Sequence, residues 1–314
     1  MSLLTQFLTR RGTGPTPEPD IDEEDLALYP PPELPGGYPY VPILCDTPTP
    51  ADHSDSTCHP SVVDTGKGGW NGYRWWMVNT PYPPERDENP IILGSNDRIN
   101  WEEPRPGMNP IEDSPTKWGW PVGYHADTEL WFDGEKLHCW WNTVLDLQAG
   151  IDETHYSSST NGTDWTTPEK LFDGLFGLSP MATGLGTVWI MYSSNRRWAA
   201  PSPKGPWTPT HTMSFPSPGA MRHGDIIYHD GLWWGIGSNP AQPAHARVSR
   251  DGINWSGGSA PLIVGDWVTG TYRPTMLPSN VPGYMDVWVS VTGGPTLYAT
   301  AYTRIPKSVW TDLL

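Results

Sequence analysis

The sequence has no apolar stretch approaching the roughly 20 residues that span a bilayer, so we expect no membrane insertion. Residues Met1 to Arg11 also lack the basic start and the long apolar core of a signal peptide. We therefore expect no export by that route and cytoplasmic synthesis.

Basic residues are scarce. The chain carries 19 Lys and Arg against 35 Asp and Glu, a formal charge of −16, and this field repels a phosphate backbone. Nucleic-acid binding is excluded on this ground, and neutral sugars suit a surface rich in Trp and poor in Lys.

Cysteine is also rare, with Cys45, Cys58 and Cys139 in no metal-ligand spacing, and the nine His residues are scattered. The sequence predicts no metal and no cofactor. Whether Cys45 and Cys58 are bonded stays open.

Three residue types are abundant instead: 19 Trp, 37 Pro and 33 Gly among 314 residues. Pro and Gly disfavour helix interiors and favour turns, which excludes a helical bundle and a helix-rich α/β fold. The indole rings supply apolar area that disordered chains lack, so a packed β structure is expected.

Residues 1–57 differ from the rest. Pro, Gly, Asp and Glu dominate the segment from Gly12 to Pro50, and such a composition predicts an extended arm. Four apolar side chains near the start fall on one side of a short helix and form a candidate assembly anchor: Leu3, Leu4, Phe7 and Leu8. A frayed terminus is the alternative.

Short strands and turns recur over residues 58–314. Asp133-Gly134 and Asp230-Gly231 supply the positive φ angles that tight hairpins need. A turn motif, Ser with Asp or Asn two positions on and Trp six on, appears in full, shortened or degenerate form at 95–101, 159–165, 202–207, 249–255 and 303–310. Recurrence every 40 to 60 residues or so is typical of propeller blades. The sequence predicts an all-β fold, a five-bladed β-propeller preceded by the Pro-rich arm.

The motifs resemble known families. The turn motif resembles the Asp-box turns of sialidases, and five blades resemble the arabinanase, xylosidase and invertase superfamily of glycoside hydrolases. The first blade is similar to that of five-bladed propellers in phage tail proteins and hydrolase-like bacterial proteins, through His59-Pro60-Ser61-Val62-Val63, Gly69-Trp70-Asn71-Gly72-Tyr73-Arg74-Trp75-Trp76-Met77, Thr80-Pro81-Tyr82-Pro83, Glu88-Asn89-Pro90 and Ser95-Asn96-Asp97. The resemblance covers about residues 59–314.

Propeller sites lie on the axis, where the innermost strands begin. Polar residues occur at this point of successive repeats, and they form the candidate ligand-binding set: His59, His125, Asp127, Arg222, His223, Asp225, Tyr272 and Arg273. Trp118 and Trp120 precede the second-blade cluster and could overhang the pocket. Strand capping and blade packing are the alternative roles of these residues.

The resemblance implies three catalytic carboxylates, from the first, second and third blades. Asp127 matches the second, but Ser61 stands in the first blade, and the third blade offers no Glu. Asp127 and Asp225 remain a possible acid and base pair, which glycoside hydrolysis requires. The departure favours binding over catalysis.

The resemblance and the arm together predict a virion component, a minor tail protein at the tail tip in multiple copies. Its arm would dock onto other phage tail proteins, and its propeller would bind a host cell-wall glycan. A glycoside hydrolase degrading envelope polysaccharide is the first alternative, and a purely structural tail decoration is the second.

Overall fold

The computed structural model describes residues 22–36, 40–50, 54–82, 88–114, 123–146, 148–173, 180–193, 195–216, 221, 223–239, 242–258 and 260–314. Two short helices, α1 (Glu23–Leu28) and α2 (Ser308–Thr311), accompany the strands. The strands in chain order are β1 (Ile43–Leu44), β2 (Thr57–Asp64), β3 (Trp75–Pro81), β4 (Ile91–Ser95), β5 (Tyr124–Phe132), β6 (Leu137–Asp146), β7 (Ile151–Ser159), β8 (Glu169–Asp173), β9 (Met181–Leu185), β10 (Val188–Ser193), β11 (Arg196–Ala200), β12 (Thr208–Thr212), β13 (His223–His229), β14 (Leu232–Asn239), β15 (Gln242–Ser249), β16 (Ser256–Gly257), β17 (Gly270–Pro278), β18 (Tyr284–Thr292) and β19 (Ala299–Pro306).

These strands form five antiparallel sheets, one for each blade of a propeller. The sheets run β2-β3-β4, β5-β6-β7-β8, β9-β10-β11-β12, β13-β14-β15-β16 and β17-β18-β19-β1. The first strands of the blades, β2, β5, β9, β13 and β17, contact one another in a ring around the axis. The all-β fold and the five blades predicted from the repeats are confirmed. In the described part of the chain, no helix has the length and apolar character to cross a membrane.

The turn motif has the hydrogen bonding that its side chains predict. Asp97 Oδ1 accepts from the backbone N–H groups of Ile99 and Asn100, at 2.9 and 2.7 Å. Asn161 and Asp251 make the same pair of bonds in their own turns. The degenerate copy at 303–310 is different, because Thr303 lies within β19 and Trp310 within α2.

Part of the predicted arm belongs to the propeller. Ile43 and Leu44 form β1, the outer strand of the fifth blade, and pair with Tyr302 and Ala301 of β19. The physical reason is that the outer edge of β19 needs a partner for its backbone groups. Further upstream, α1 lies against the first blade through the ion pair of Asp25 with Arg74.

Indole rings fill the space between and within blades. Seven tryptophans on the propeller strands are among the largest fully buried side chains: Trp75, Trp76, Trp140, Trp141, Trp233, Trp234 and Trp288. The cysteines contribute as small apolar side chains, and Cys45, Cys58 and Cys139 are free thiols.

The fit of these rings against the turns leads to a stability prediction. Gly162 has φ +77°, and a Cβ atom there would lie 2.2 Å from the ring of Trp76. Gly162→Ala should therefore lower the free energy of unfolding by about 2–4 kcal/mol, through the strain of a left-handed backbone in this turn and overpacking against Trp76 together. Chemical denaturation measures it.

The matched control is Gly186→Ala, at φ +64° with no atom within 4 Å of the added Cβ. Only the backbone cost of about 1–2 kcal/mol applies there. An equal decrease in the free energy of unfolding in the two variants would contradict the packing argument.

Candidate functional site on the propeller axis

Three inner strands contain a residue with a left-handed backbone conformation near their N-terminal ends. His59, Asp127 and Arg273 have φ angles of +55°, +54° and +29°, and the register of their strands shifts at each of them. Such a β-bulge re-aims a side chain and is common beside functional sites. The three bulges bring polar side chains of blades one, two and five together at the axis.

The upper layer of the axis is a cluster of two imidazoles, a carboxylate and a phenol. His223 Nδ1 lies 3.1 Å from Asp127 Oδ1, and His59 Nε2 lies 3.6 Å from the same oxygen. Tyr272 Oη lies 3.1 Å from His223 Nε2. We call His59, Asp127 and His223 the axial triad; all three are buried.

Contacts behind the triad orient His59. Its Nδ1 lies 3.0 Å from Thr80 Oγ1 and 3.4 Å from Glu88 Oε2, while its Nε2 has no hydrogen-bond partner. Burial lowers the pKa of His59 to about 3, so the imidazole is neutral at pH 7. Burial alone would raise the pKa of Asp127, but the neighbouring imidazoles and the Arg273 guanidinium outweigh it and lower that pKa.

The axial triad has the composition of a metal site. One ligand atom from each of its residues lies within 4.8 Å of the other two. Two imidazole nitrogens and a carboxylate oxygen form a donor set that suits Zn²⁺ and Mn²⁺. Nε2 of His59 fits this role, since it has no hydrogen-bond partner and lies 3.6 Å from Asp127 Oδ1. The sequence indicated no metal because the three ligands come from three different blades.

A lower layer lies beneath the triad and consists of buried carboxyls around Arg273. Arg273 Nη2 donates to Glu129 Oε2 at 2.8 Å, and Ser61 Oγ donates to the same oxygen at 3.3 Å. Asp225 Oδ2 accepts from the Thr275 hydroxyl at 2.9 Å. Burial raises the pKa of both Glu129 and Asp225.

Glu129 did not emerge from the sequence, although it lies two residues after Asp127 on the same inner strand. A cavity of about 130 Å³ adjoins it, bounded by Val63, Trp131, Ile227 and Leu277 among others. Most of its lining is apolar, and the polar residues that line it are Ser61, Asp64, Glu129 and Asp225.

His125 lies apart from the triad. Its Nδ1 lies 2.9 Å from Thr143 Oγ1, and its Nε2 faces Glu112 Oε2 at 3.7 Å. Glu112 also accepts from Trp141 Nε1 and lies 3.3 Å from His155 Nδ1. The structure therefore brings His59, Asp127, His223 and Tyr272 together, with Arg273 and Asp225 in the layer below, and places His125 in the second blade.

Several predicted residues lie outside the described part of the chain. They are Arg222, Trp118, Trp120 and the anchor residues Leu3, Leu4, Phe7 and Leu8.

Comparison with known proteins gives one curated relative and several solved structures of the same fold. No family model matches the chain. The "A type blood N-acetyl-alpha-D-galactosamine deacetylase" of Flavonifractor plautii is 33% identical over 174 residues, which is 54% of this chain. The chain spans about a fifth (21%) of that relative's length.

The similar solved structures include glycoside hydrolases of families 43 and 117. A family 43 enzyme from Bacillus licheniformis aligns at a TM-score of 0.60 and 12% identity, over 79% of this chain and 52% of its own. An arabinanase from Bacillus subtilis aligns at 0.56 and 12%, over 81% and 96%. A family 117 enzyme from Zobellia galactanivorans aligns at 0.55 and 10%, over 87% and 95%. At these identities the likeness shows the fold alone.

The environment of His125 gives a pH prediction. Burial lowers its pKa from 6.5 to about 4, with Glu112 and His155 as the charged neighbours. A depressed pKa contributes stability that is present above pH 6.5 and lost as the pH falls toward 4. The free energy of unfolding should fall over this range, and His125→Gln should reduce the fall by an amount on the order of 3 kcal/mol or less.

Denaturation at several pH values measures this effect, and His211→Gln, at an exposed position of β12, is the control. Parallel curves for the wild type and the His125 variant would contradict the assignment.

The axial triad gives a metal prediction. After dialysis against a chelator, added Zn²⁺ or Mn²⁺ should raise the melting temperature of the wild type. A ligand at 100 times its Kd stabilises by about 2.7 kcal/mol. His223→Ala should abolish the rise, whereas His211→Ala should retain it. An equal rise in the wild type and the His223 variant, in a thermal-shift experiment, would place the bound metal elsewhere.

Proposed function

We propose that this protein is a carbohydrate-active hydrolase that removes the acetyl group from an N-acetylated amino sugar, with a divalent cation held by the axial triad. The observation that carries the proposal is the convergence of His59 Nε2, Asp127 Oδ1 and His223 Nδ1 in a buried site. The identity with a relative named as an N-acetylgalactosamine deacetylase supports the same chemistry, although the chain matches only part of that protein.

A cation bound there would polarise an amide carbonyl and lower the pKa of a water molecule, as divalent cations do in hydrolases. The chain's own residues set the ligand orientation. Thr80 and Glu88 hold Nδ1 of His59, which directs Nε2 at Asp127. The Tyr272 hydroxyl holds Nε2 of His223, which directs Nδ1 at Asp127. Such outer contacts fix the imidazole tautomer and strengthen metal ligation.

The charge balance of the axis supports a cation. Glu88, Asp127, Glu129 and Asp225 are buried there, and the guanidinium of Arg273 forms an ion pair with Glu129. Buried carboxylates require a compensating charge or a proton. A divalent ion at the triad supplies part of that compensation.

Glycoside hydrolysis is the second candidate, and the raised pKa values of Glu129 and Asp225 favour it, because a protonated carboxyl can act as a general acid. The geometry favours it less. Asp127 is held ionised between two imidazoles, and Asp225 Oδ2 accepts from both Thr275 and the Met276 N–H. Glu129 is engaged by Arg273 in the lower layer.

The role in a phage tail, the docking partners and the virion location stay predictions from the resemblance. Burial of Leu3, Leu4, Phe7 and Leu8 in another tail subunit would support them, and a soluble monomer with an ordered arm would count against them. The enzymatic proposal does not depend on the outcome.

The test is a parallel measurement of acetate and of reducing ends, released from N-acetylglucosamine and N-acetylgalactosamine glycosides and from envelope polysaccharide. We expect acetate, no release after chelation, and recovery with Zn²⁺ or Mn²⁺. Asp127→Asn should lower kcat/KM for acetate release by about 100-fold or more, since it removes a ligand rather than an outer contact. Asp312→Asn, at an exposed position near the C-terminus, is the control.

Release of reducing ends without acetate would contradict the deacetylase proposal and show that the protein is a glycosidase. Retention of the protein on the polysaccharide without either product would support a binding module.

A further inference from the structure

A row of tyrosines leads outward from the axial triad. The Tyr272 ring lies 4.4 Å from that of His223 and 5.2 Å from that of His59, centroid to centroid. The Tyr298 ring lies 5.9 Å from Tyr272, and the Tyr82 ring lies 4.8 Å from Tyr298. We call Tyr272, Tyr298 and Tyr82 the tyrosine row; each is partly exposed.

The row lies on the same face of the propeller as the triad, along the seam between blades five and one. Tyr82 directly follows β3 at the end where Pro81 pairs with Thr57, close to His59 on β2. Tyr298 directly precedes β19. Ser56 fixes both, since its carbonyl accepts from Tyr82 N at 2.7 Å and its hydroxyl accepts from Tyr298 N at 3.1 Å.

Phenol rings suit a neutral glycan. Tyrosine presents a rigid apolar face with a polar edge, which matches the apolar face and the hydroxyl rim of a sugar ring. Three such rings in continuous contact extend the site beyond the space that a single sugar at the triad would fill. Burial raises the pKa of the Tyr272 hydroxyl, so the ring nearest the triad is uncharged at neutral pH.

We propose that Tyr82 and Tyr298 form a second sugar subsite, so that the substrate is an oligosaccharide or polysaccharide chain rather than a single amino sugar. This inference rests on the proposed function. The acetylated residue lies at the triad, and the neighbouring sugar of the chain stacks on Tyr298 and Tyr82.

The experiment compares acetate release from methyl glycosides of N-acetylglucosamine and N-acetylgalactosamine with release from tetrasaccharides of the same sugars. In the wild type, kcat/KM should be higher for the tetrasaccharide. In Tyr82→Ala and Tyr298→Ala, the ratio of tetrasaccharide to monosaccharide kcat/KM should fall about tenfold, through KM, because one or two stacking contacts are lost.

Two variants control for the ring and for folding. Tyr82→Phe keeps the ring and should keep the ratio. Tyr228→Ala removes a partly exposed tyrosine on β13, which packs against Trp233, and should leave the ratio unchanged. An unchanged ratio in both Tyr→Ala variants would overturn the subsite while the deacetylase stands.

A binding measurement separates the two proposals. Tetrasaccharide affinity is measured by calorimetry for Asp127→Asn and for Asp127→Asn combined with Tyr82→Ala, so no turnover is needed. A tenfold weaker affinity in the double variant supports the subsite even where no acetate is released and the proposed reaction has failed. Equal affinities overturn the subsite.

Discussion

The axial site depends on left-handed backbone residues that recur near the start of three inner strands. A non-glycine residue in this region costs roughly 1–2 kcal/mol, so each bulge needs contacts that hold it. Neighbouring blades supply them: His59 N donates to Ser290 Oγ, and Thr128 Oγ1 donates to His59 O at 2.8 Å. The guanidinium of Arg273 in turn binds the carbonyl of Thr128 and the carboxylate of Glu129. The bulges of blades five, two and one are thus linked by hydrogen bonds, and a change in one strand alters the geometry at the axis.

Closure of the ring rests on Arg98, which joins the last blade to the first. Its Nε donates to Asp286 at 3.0 Å, and its guanidinium lies 4.1 Å from the centroid of the Trp75 ring. The indoles of Trp101 and Trp288, one from each blade, both donate to the carbonyl of Arg98 at 3.0 Å. Because Arg98 is fully buried and lies within the turn motif of blade one, that motif does more than cap a hairpin. The motif also positions Arg98, which joins the first and fifth blades.

The sequence predicted the architecture well because three of the five blades repeat the same turn chemistry. Asp97, Asn161 and Asp251 fold their turns through contacts within a few residues, which a linear pattern reveals. Closure by Ile43 and Leu44 was not predictable in this way, since it depends on pairing with a strand more than 250 residues later in the chain.

The site was only partly predictable, for a geometric reason. Alternation along a strand places His125 and Asp127 on one side, but the bulge at Asp127 breaks that alternation. Asp127 reaches the axis while His125 faces Glu112. Glu129 was overlooked because a carboxyl inside an apolar strand is rarely buried without a partner, and its partner Arg273 lies in another blade. Ligands from three blades leave no spacing for a metal motif to match.

The propeller fold does not determine the chemistry of the residues on its axis. Five-bladed glycosidases need two carboxyls flanking the scissile bond, and the resemblance placed one of them where Ser61 stands. Ser61 donates to Glu129, and Arg273 forms an ion pair with the same carboxyl group, so Glu129 is engaged within the lower layer. The upper layer keeps one carboxylate, Asp127, and surrounds it with imidazoles whose nitrogens converge on its oxygen. Nitrogen donors around a single carboxylate suit metal ligation better than proton exchange between paired acids, and this arrangement supports the proposed attack on an amide over cleavage of a glycosidic bond.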